Sequence, residues 1–179
     1  MPTDPDSEHI LAEGKYLRFV IRDGWEFIRR KNVSGIIAIV PVTDAGKLVL
    51  VEQYRPPVDC NVIELPAGLV GDVAGQEGET LETAAGRELI EETGYAAAHW
   101  TRLADGAASA GASGERMTLF LARGLTKVGP GGGDHTESIR VHEVPLAEVP
   151  DWLVWQKQRG VEIDLQVYAG LFFAGQLPK

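Results

Sequence analysis

Alternating apolar residues open the readable pattern. Leu17, Phe19 and Ile21, answered by Phe27, lie on either side of Asp23-Gly24. Asp-Gly is a favoured two-residue turn between antiparallel strands, so residues 15–22 and 25–31 predict a β-hairpin. Residues 34–43 and 48–54 are β-rich runs around a turn at residues 44–47, and a shorter run at 62–65 stops at Pro66-Ala67-Gly68. Residues 70–78 read as a loop. The apolar period then changes, and residues 80–93 predict a helix with Thr80 as its N-cap and Gly94 as its stop. Further strands are expected at 99–103, 116–123 and 138–144, separated by a Gly/Ser/Ala-rich stretch at 106–114 and a flexible glycine run at 129–133. Helices are expected at 151–159 and 164–174. The class is α/β, a mixed sheet with a few helices.

The helix carries an unusual arrangement. At about 100° per residue, Glu88, Glu91 and Glu92 project from one face, in the same half of the wheel as Leu81, Ala84, Ala85 and Leu89. Three carboxylates therefore crowd toward the side expected to face the protein. Their repulsion and partial burial would raise their pKa values unless cations offset them. Arg87 alone cannot neutralise three glutamates, whereas a hard ion with oxygen ligands, Mg²⁺ or Mn²⁺, can.

Composition narrows the partners. The chain has 179 residues, 44% hydrophobic and 24% charged, the usage of an ordinary globular domain. Seventeen Lys and Arg against 26 Asp and Glu give a formal charge of −9, which disfavours polymeric nucleic acid and anionic membranes. No apolar run approaches the roughly 20 residues of a membrane span. The acidic, polar start at residues 1–9 lacks the features of a secretory signal, and the single cysteine, Cys60, cannot form an internal disulfide. A reducing cytoplasm is the expected setting.

The run Arg87-Glu88-Leu89-Ile90-Glu91-Glu92-Thr93-Gly94-Tyr95, with Glu79 eight positions before Arg87, resembles the box of the Nudix hydrolases, Gly-x5-Glu-x7-Arg-Glu-U-x-Glu-Glu-x-Gly-U with U a bulky apolar residue. The opening glycine departs from that pattern, since position 73 is Val. Its counterpart is read as Gly68, which implies about five extra residues around 70–75. Trp25-Glu26 with Arg29-Arg30, Glu52-Gln53-Tyr54-Arg55-Pro56-Pro57, Glu64-Leu65-Pro66-Ala67-Gly68 and residues 138–144 are similar to the ADP-ribose pyrophosphatase branch. That branch commonly has a Ser-Pro-Gly turn where this chain has Ser109-Ala110-Gly111, which leaves related nucleoside-diphosphate sugars open.

The resemblance implies a Nudix fold, a mixed sheet sandwiched between helices, over residues 34–179, with residues 1–33 as a hairpin extension that embraces a second subunit in a homodimer. It implies Mg²⁺, or Mn²⁺, held by Glu88, Glu92 and the Ala67 carbonyl, with Glu91 assisting and Arg87 holding Glu79 or its neighbours in place. Glu137 is the candidate general base, with Asp134, His135 and Glu115 as rivals. For substrate, Arg55 can grip a phosphate with its planar fork. Trp25 offers a stacking surface, acting in the partner's site if the dimer forms, and Arg30 on the same strand can meet phosphate or ribose. The plain alternatives are a packed tryptophan and surface ion pairs. The implied reaction cleaves ADP-ribose to AMP and ribose 5-phosphate. GDP-mannose or another nucleoside-diphosphate sugar is the alternative substrate, and a nucleotide-binding sensor without catalysis is the alternative class.

Overall fold

A computed structural model of the chain describes residues 8–72, 75, 78–133 and 138–175. The strands are β1 (His9–Glu13), β2 (Leu17–Arg22), β3 (Trp25–Arg30), β4 (Gly35–Pro41), β5 (Lys47–Arg55), β6 (Cys60–Glu64), β7 (Ala67–Val70), β8 (Tyr95–Ala107), β9 (Arg116–Lys127), β10 (Arg140–Pro145) and β11 (Glu162–Ile163). The helices are α1 (Leu81–Thr93), α2 (Val149–Gln158) and α3 (Leu165–Gly175). They form three sheets, ordered β1-β2-β3, β10-β5-β6-β11 and β7-β4-β9-β8.

Strand β4 explains the architecture. It pairs antiparallel with β7 and parallel with β9, so the sheet is mixed. Its residues alternate between two cores. Ala38 and Val40 join Leu119, Leu121 and residues of α2, α3 and the second sheet, whereas Ile37 and Ile39 join Phe120 and the buried face of α1. Both faces of β4 are thus covered, which is why it reads as a continuous apolar run rather than an alternation.

Helix α1 follows its local signals. Thr80 Oγ1 accepts from Thr83 N at 3.2 Å, and Gly94 closes the helix in the left-handed conformation at φ 73°. Ala84, Ala85 and Leu89 are fully buried, and Leu81 packs against them. Full burial of Leu89 alone contributes roughly 1.5–3 kcal/mol.

Several boundaries differ from the sequence reading. The predicted hairpin is present, with Asp23 and Gly24 both at positive φ, but β1 adds a third strand to it. Pro66-Ala67-Gly68 does not end the regular structure; Pro66 precedes β7, whose hydrogen bonds lie along β4. Strand β8 runs thirteen residues, well beyond the expected 99–103, because β9 pairs with it along its length. The glycine run is not a free segment either. Gly132 N and Gly133 N donate to the Glu92 and Glu91 carbonyls at 2.8 and 3.1 Å.

Hydrogen bonds tie the three-stranded sheet to residues 112–115. Ile28 N donates to Ala112 O, Gly114 N donates to Ile28 O, and Arg30 Nε meets Glu115 Oε1 at 2.6 Å.

Candidate active site

A cavity of about 380 Å³ opens between β7, α1 and the walls on either side. Glu88, Glu92, Ala67 and Gly68 line it with Arg30, Arg55, Glu64 and Glu115, and the start of α3 adds Asp164 and Gln166. Six of the sequence-predicted residues (Arg30, Arg55, Ala67, Glu88, Glu92 and Glu115) therefore meet in one space.

Helix periodicity sets the acidic floor. Glu92 is 3% exposed, and its Oε2 accepts from Ala67 N at 3.2 Å, so the helix touches the start of β7 directly. Glu88 lies one turn earlier, beneath Gly68. A methyl group on Gly68 would overlap the Glu88 carboxyl, so only glycine permits this approach. Burial pushes the Glu88 carboxyl up to about 7, against the opposing pull of Arg87, and Glu91 and Asp72 add to the rise. Glu91 is placed differently. Its side chain is 38% exposed, 3.6 Å from Arg87, and does not line the cavity.

Arg87 is the hub of the acidic cluster. Its Nη1 donates to Glu88 Oε1 at 2.7 Å, and its Nη2 reaches Glu79 Oε1 and Leu69 O, each at 3.1 Å. Burial opposes charge on both partners. Ion pairing outweighs it, raising the Arg87 guanidinium and, with a bond from Gly71 N, holding Glu79 below the usual carboxylate value. Arg87 thus contacts Glu79 and Glu88, the neighbours that the sequence reading gave it. Among the described residues, Glu79 Oε2 and Arg87 Nε are buried without a hydrogen-bond partner.

The cations on the walls are themselves paired. Arg55 Nε contacts both Glu64 oxygens, at 2.9 and 3.1 Å, and Arg30 is bonded to Glu115. Burial raises the Glu64 carboxyl; Arg55 opposes the rise and nearby Asp164 adds to it. Both arginines thus line the cavity and make ion pairs at once.

Trp25 stands outside this cavity. It is 67% exposed and lines a neighbouring cleft with Arg22, Phe27 and Glu115, so within one chain it is neither packed nor facing the acidic floor. Of the other tryptophans, Trp100 packs edge-on to Phe120 and Trp152 lies against His142, while Trp155 is half exposed beneath Arg159 rather than packed. Glu137, Asp134 and His135 lie outside the described residues. Sequence reasoning missed Glu64, Asp164 and Gln166 as lining groups. Glu64 adjoins the Leu65-Pro66-Ala67-Gly68 stretch and could have been found there, whereas nothing local marks Asp164 or Gln166.

Among the described residues no three His, Cys, Asp or Glu side chains stand in a ready metal-ligating group. The donors that the sequence reading names are the Glu88 and Glu92 carboxylates and the Ala67 carbonyl, which share the cavity with Glu64, Glu115 and Asp164. They fit a hard divalent cation. The donors are oxygen, and Glu88 is a buried carboxyl whose burial outweighs the pull of Arg87, so that its charge is only partly offset.

Comparison with known proteins agrees with this geometry. The NUDIX domain model matches residues 33–165. An ADP-ribose pyrophosphatase of Mycobacterium tuberculosis is 40% identical over 115 residues, covering 64% of this chain and 54% of that protein. One from Bacillus subtilis is 36% identical over 115 residues (64% and 60%), and a methanol dehydrogenase activator of Bacillus methanolicus is 35% identical over 120 (66% and 62%). The chain thus spans less than two thirds of the length of these relatives. A solved structure titled as an ADP compounds hydrolase superposes with a TM-score of 0.66 at 24% identity, covering 82% of this chain and 80% of its own, a likeness of fold. Since the domain match spans most of the chain and contains the acidic helix, its glycine-lined floor and both flanking sheets, the chain belongs to the Nudix family.

Proposed function

We propose that the chain is a Mg²⁺-dependent pyrophosphohydrolase that cleaves the diphosphate of ADP-ribose, or a similar nucleoside-diphosphate sugar, to a nucleoside monophosphate and a sugar phosphate. The observation that carries this reading is the shared cavity, in which two helix carboxylates face the same space as Arg30 and Arg55. The relatives named ADP-ribose pyrophosphatase support the choice of substrate.

Glu88, Glu92 and the Ala67 carbonyl would hold the ion, with Glu91 assisting from the rim. Bound there, a divalent ion supplies neutralisation of diphosphate charge and makes a water more acidic. Arg55 is placed to grip a phosphate through its fork, pre-aimed by Glu64, and Arg30 to meet the nucleoside side. Arg87 keeps the Glu79–Glu88 pair in position. Glu137 is assigned the proton of the attacking water, whose oxygen bonds to phosphorus as the bridging P–O bond breaks.

Residues 34–179 form the hydrolase unit in this reading, and residues 1–33 dimerise it. Ile10, Leu11, Tyr16, Phe19 and Trp25 are exposed on the three-stranded sheet, apolar surface that a second copy would cover, and Trp25 then reaches the partner's cavity. The chain works in a reducing cytoplasm; among the described residues no helix is long and apolar enough to cross a membrane.

The decisive test is Glu92→Gln with a substrate panel. Mg²⁺-dependent release of AMP from ADP-ribose is expected from the wild type, with a loss of about 100-fold or more in the variant. Unchanged hydrolysis in the variant would overturn the metal assignment. Brisk turnover of GDP-mannose beside negligible turnover of ADP-ribose would overturn the substrate, and nucleotide binding without turnover would make the chain a sensor.

A further inference from the structure

The last four carbonyls of an α-helix have no partner within the helix. At the end of α1 the carbonyls of residues 91 to 94 all find one in a single stretch of chain. Glu91 O accepts from Gly133 N (3.1 Å) and Glu92 O from Gly132 N (2.8 Å). Thr93 O accepts from Lys127 Nζ (2.7 Å), and Gly94 O from Val128 N and Gly129 N (2.8 and 3.1 Å). Two of these carbonyls belong to Glu91 and Glu92 themselves.

The fit is tight. A methyl on Gly131, at φ +69°, would stand 2.8 Å from both Glu92 O and Gly94 N, and one on Gly94 would stand 2.7 Å from the Gly129 carbonyl carbon. Gly132 and Gly133 also hold positive φ, so one chain turn wraps the helix end at no side-chain cost. Gly129 differs, since a methyl there meets open space. On the other side of the helix, Glu92 Oε2 is fixed by Ala67 N. The last turn of α1 is therefore gripped at its backbone by residues 127–133 and at its buried carboxylate by β7.

We propose that residues 127–133 are a positioning clamp for the metal-binding carboxylates, with Gly131 its steric key and Lys127 its charged member. Donors at the helix C-terminus also offset the negative end of the helix dipole, where Glu91 and Glu92 already place negative charge. Slippage of this turn would shift Glu92 relative to Ala67, so the clamp sets the geometry of the ligands without touching metal or substrate. This inference rests on the metal-dependent reading above.

The test compares Gly131→Ala, Lys127→Met and Gly129→Ala in the full chain. Mn²⁺ affinity is measured by calorimetry, exchange of the Gly132 and Gly133 amides by NMR, and kcat and KM on ADP-ribose, alongside melting temperature. Gly131→Ala is expected to weaken Mn²⁺ binding by about 10–100-fold, the usual cost of disturbing the support of a metal ligand. The two amides should exchange faster, and kcat should fall more than KM changes. Lys127→Met, which adds no bulk, should weaken Mn²⁺ binding roughly threefold, while Gly129→Ala should stay within about twofold of wild type. Lowered melting temperatures with Mn²⁺ affinity unchanged in Gly131→Ala and Lys127→Met would overturn the clamp. If Gly131→Ala does not fold, unchanged affinity in Lys127→Met overturns it by itself. Absence of Mn²⁺ binding in the wild type would overturn the functional reading and the clamp together; wild-type binding with unaffected variants overturns the clamp alone.

Discussion

Glu88 makes the metal-free protein sensitive to pH in a direction opposite to most carboxylates. Its side chain is 13% exposed, and burial pushes its carboxyl to about 7 from an ordinary 4.5. Below pH 4.5 the carboxyl is protonated in both folded and unfolded chains, and its burial costs no charge. As pH rises from 4.5 through 7, the unfolded chain ionises freely while the folded chain must ionise a buried group. Stability present at low pH is therefore lost across that window. At about 1.4 kcal/mol per pH unit, the interval amounts to about 3 kcal/mol.

Other groups oppose this trend. Glu52, Glu79 and Glu143 are held below the ordinary value, so their contributions are present above it and disappear as pH falls. The comparison with Glu88→Gln isolates the one residue, since Gln keeps an oxygen for Arg87 and never ionises. Urea unfolding in EDTA should find the two proteins close in stability near pH 5. Near pH 8 the variant should be the more stable by about 2–3 kcal/mol, and added Mg²⁺ should reverse the order by stabilising only the wild type. An offset between wild type and variant that is the same at both pH values would refute the argument.

Leu89→Ala removes a fully buried side chain between α1 and the sheet and should cost about 3–4 kcal/mol by urea unfolding. Arg55→Lys retains the charge but loses the planar fork and the Nε contact shared by both Glu64 oxygens, and kcat/KM for ADP-ribose should fall about 10–100-fold with little change in melting temperature. Mixing Trp25→Ala with Glu92→Gln should restore part of the activity if Trp25 serves the partner's cavity, since one site of each mixed dimer is then intact; sedimentation of the wild type as a monomer would contradict this.

Helix α1 was legible because its determinants are local. A capping threonine, an apolar stripe at period 3.6 and a terminal glycine lie within fifteen residues of one another. Strand β7 was not, since its determinant is remote: Gly68 and Ala67 pair with Ile37 and Ala38, thirty residues earlier, and Pro66-Ala67-Gly68 by itself resembles a stop. The ends of β8 were hidden for a similar reason. Three successive alanines and Asp105-Gly106 carry little strand signal, and β9 supplies the pairing. In the cavity, Glu88 and Glu92 were found through the box, and Ala67, Arg55 and Arg30 through three further stretches. Asp164, just before α3, and Gln166, in its first turn, reach the same space, where they read only as a helix start. Composition misled at 129–133, because glycine permits tight contact as readily as it permits freedom.

The displaced glycine of the box shows what its spacing encodes. Ten residues separate Gly68 from Glu79 here, and the extra loop length costs little, since doubling a flexible loop adds only about 0.6 kcal/mol. What cannot move is the contact at each end. Gly68 is fixed by the carboxyl of Glu88, which leaves no room for a Cβ. Glu79 is fixed by Arg87, which also binds Leu69 O, while Gly71 N donates back to Glu79. Arg87 therefore joins the two ends of the loop across its base, and residues between them can be added without shifting either end. In this chain the two ends of the loop are held by the contacts around Arg87 and Glu88, which do not depend on the number of residues between them.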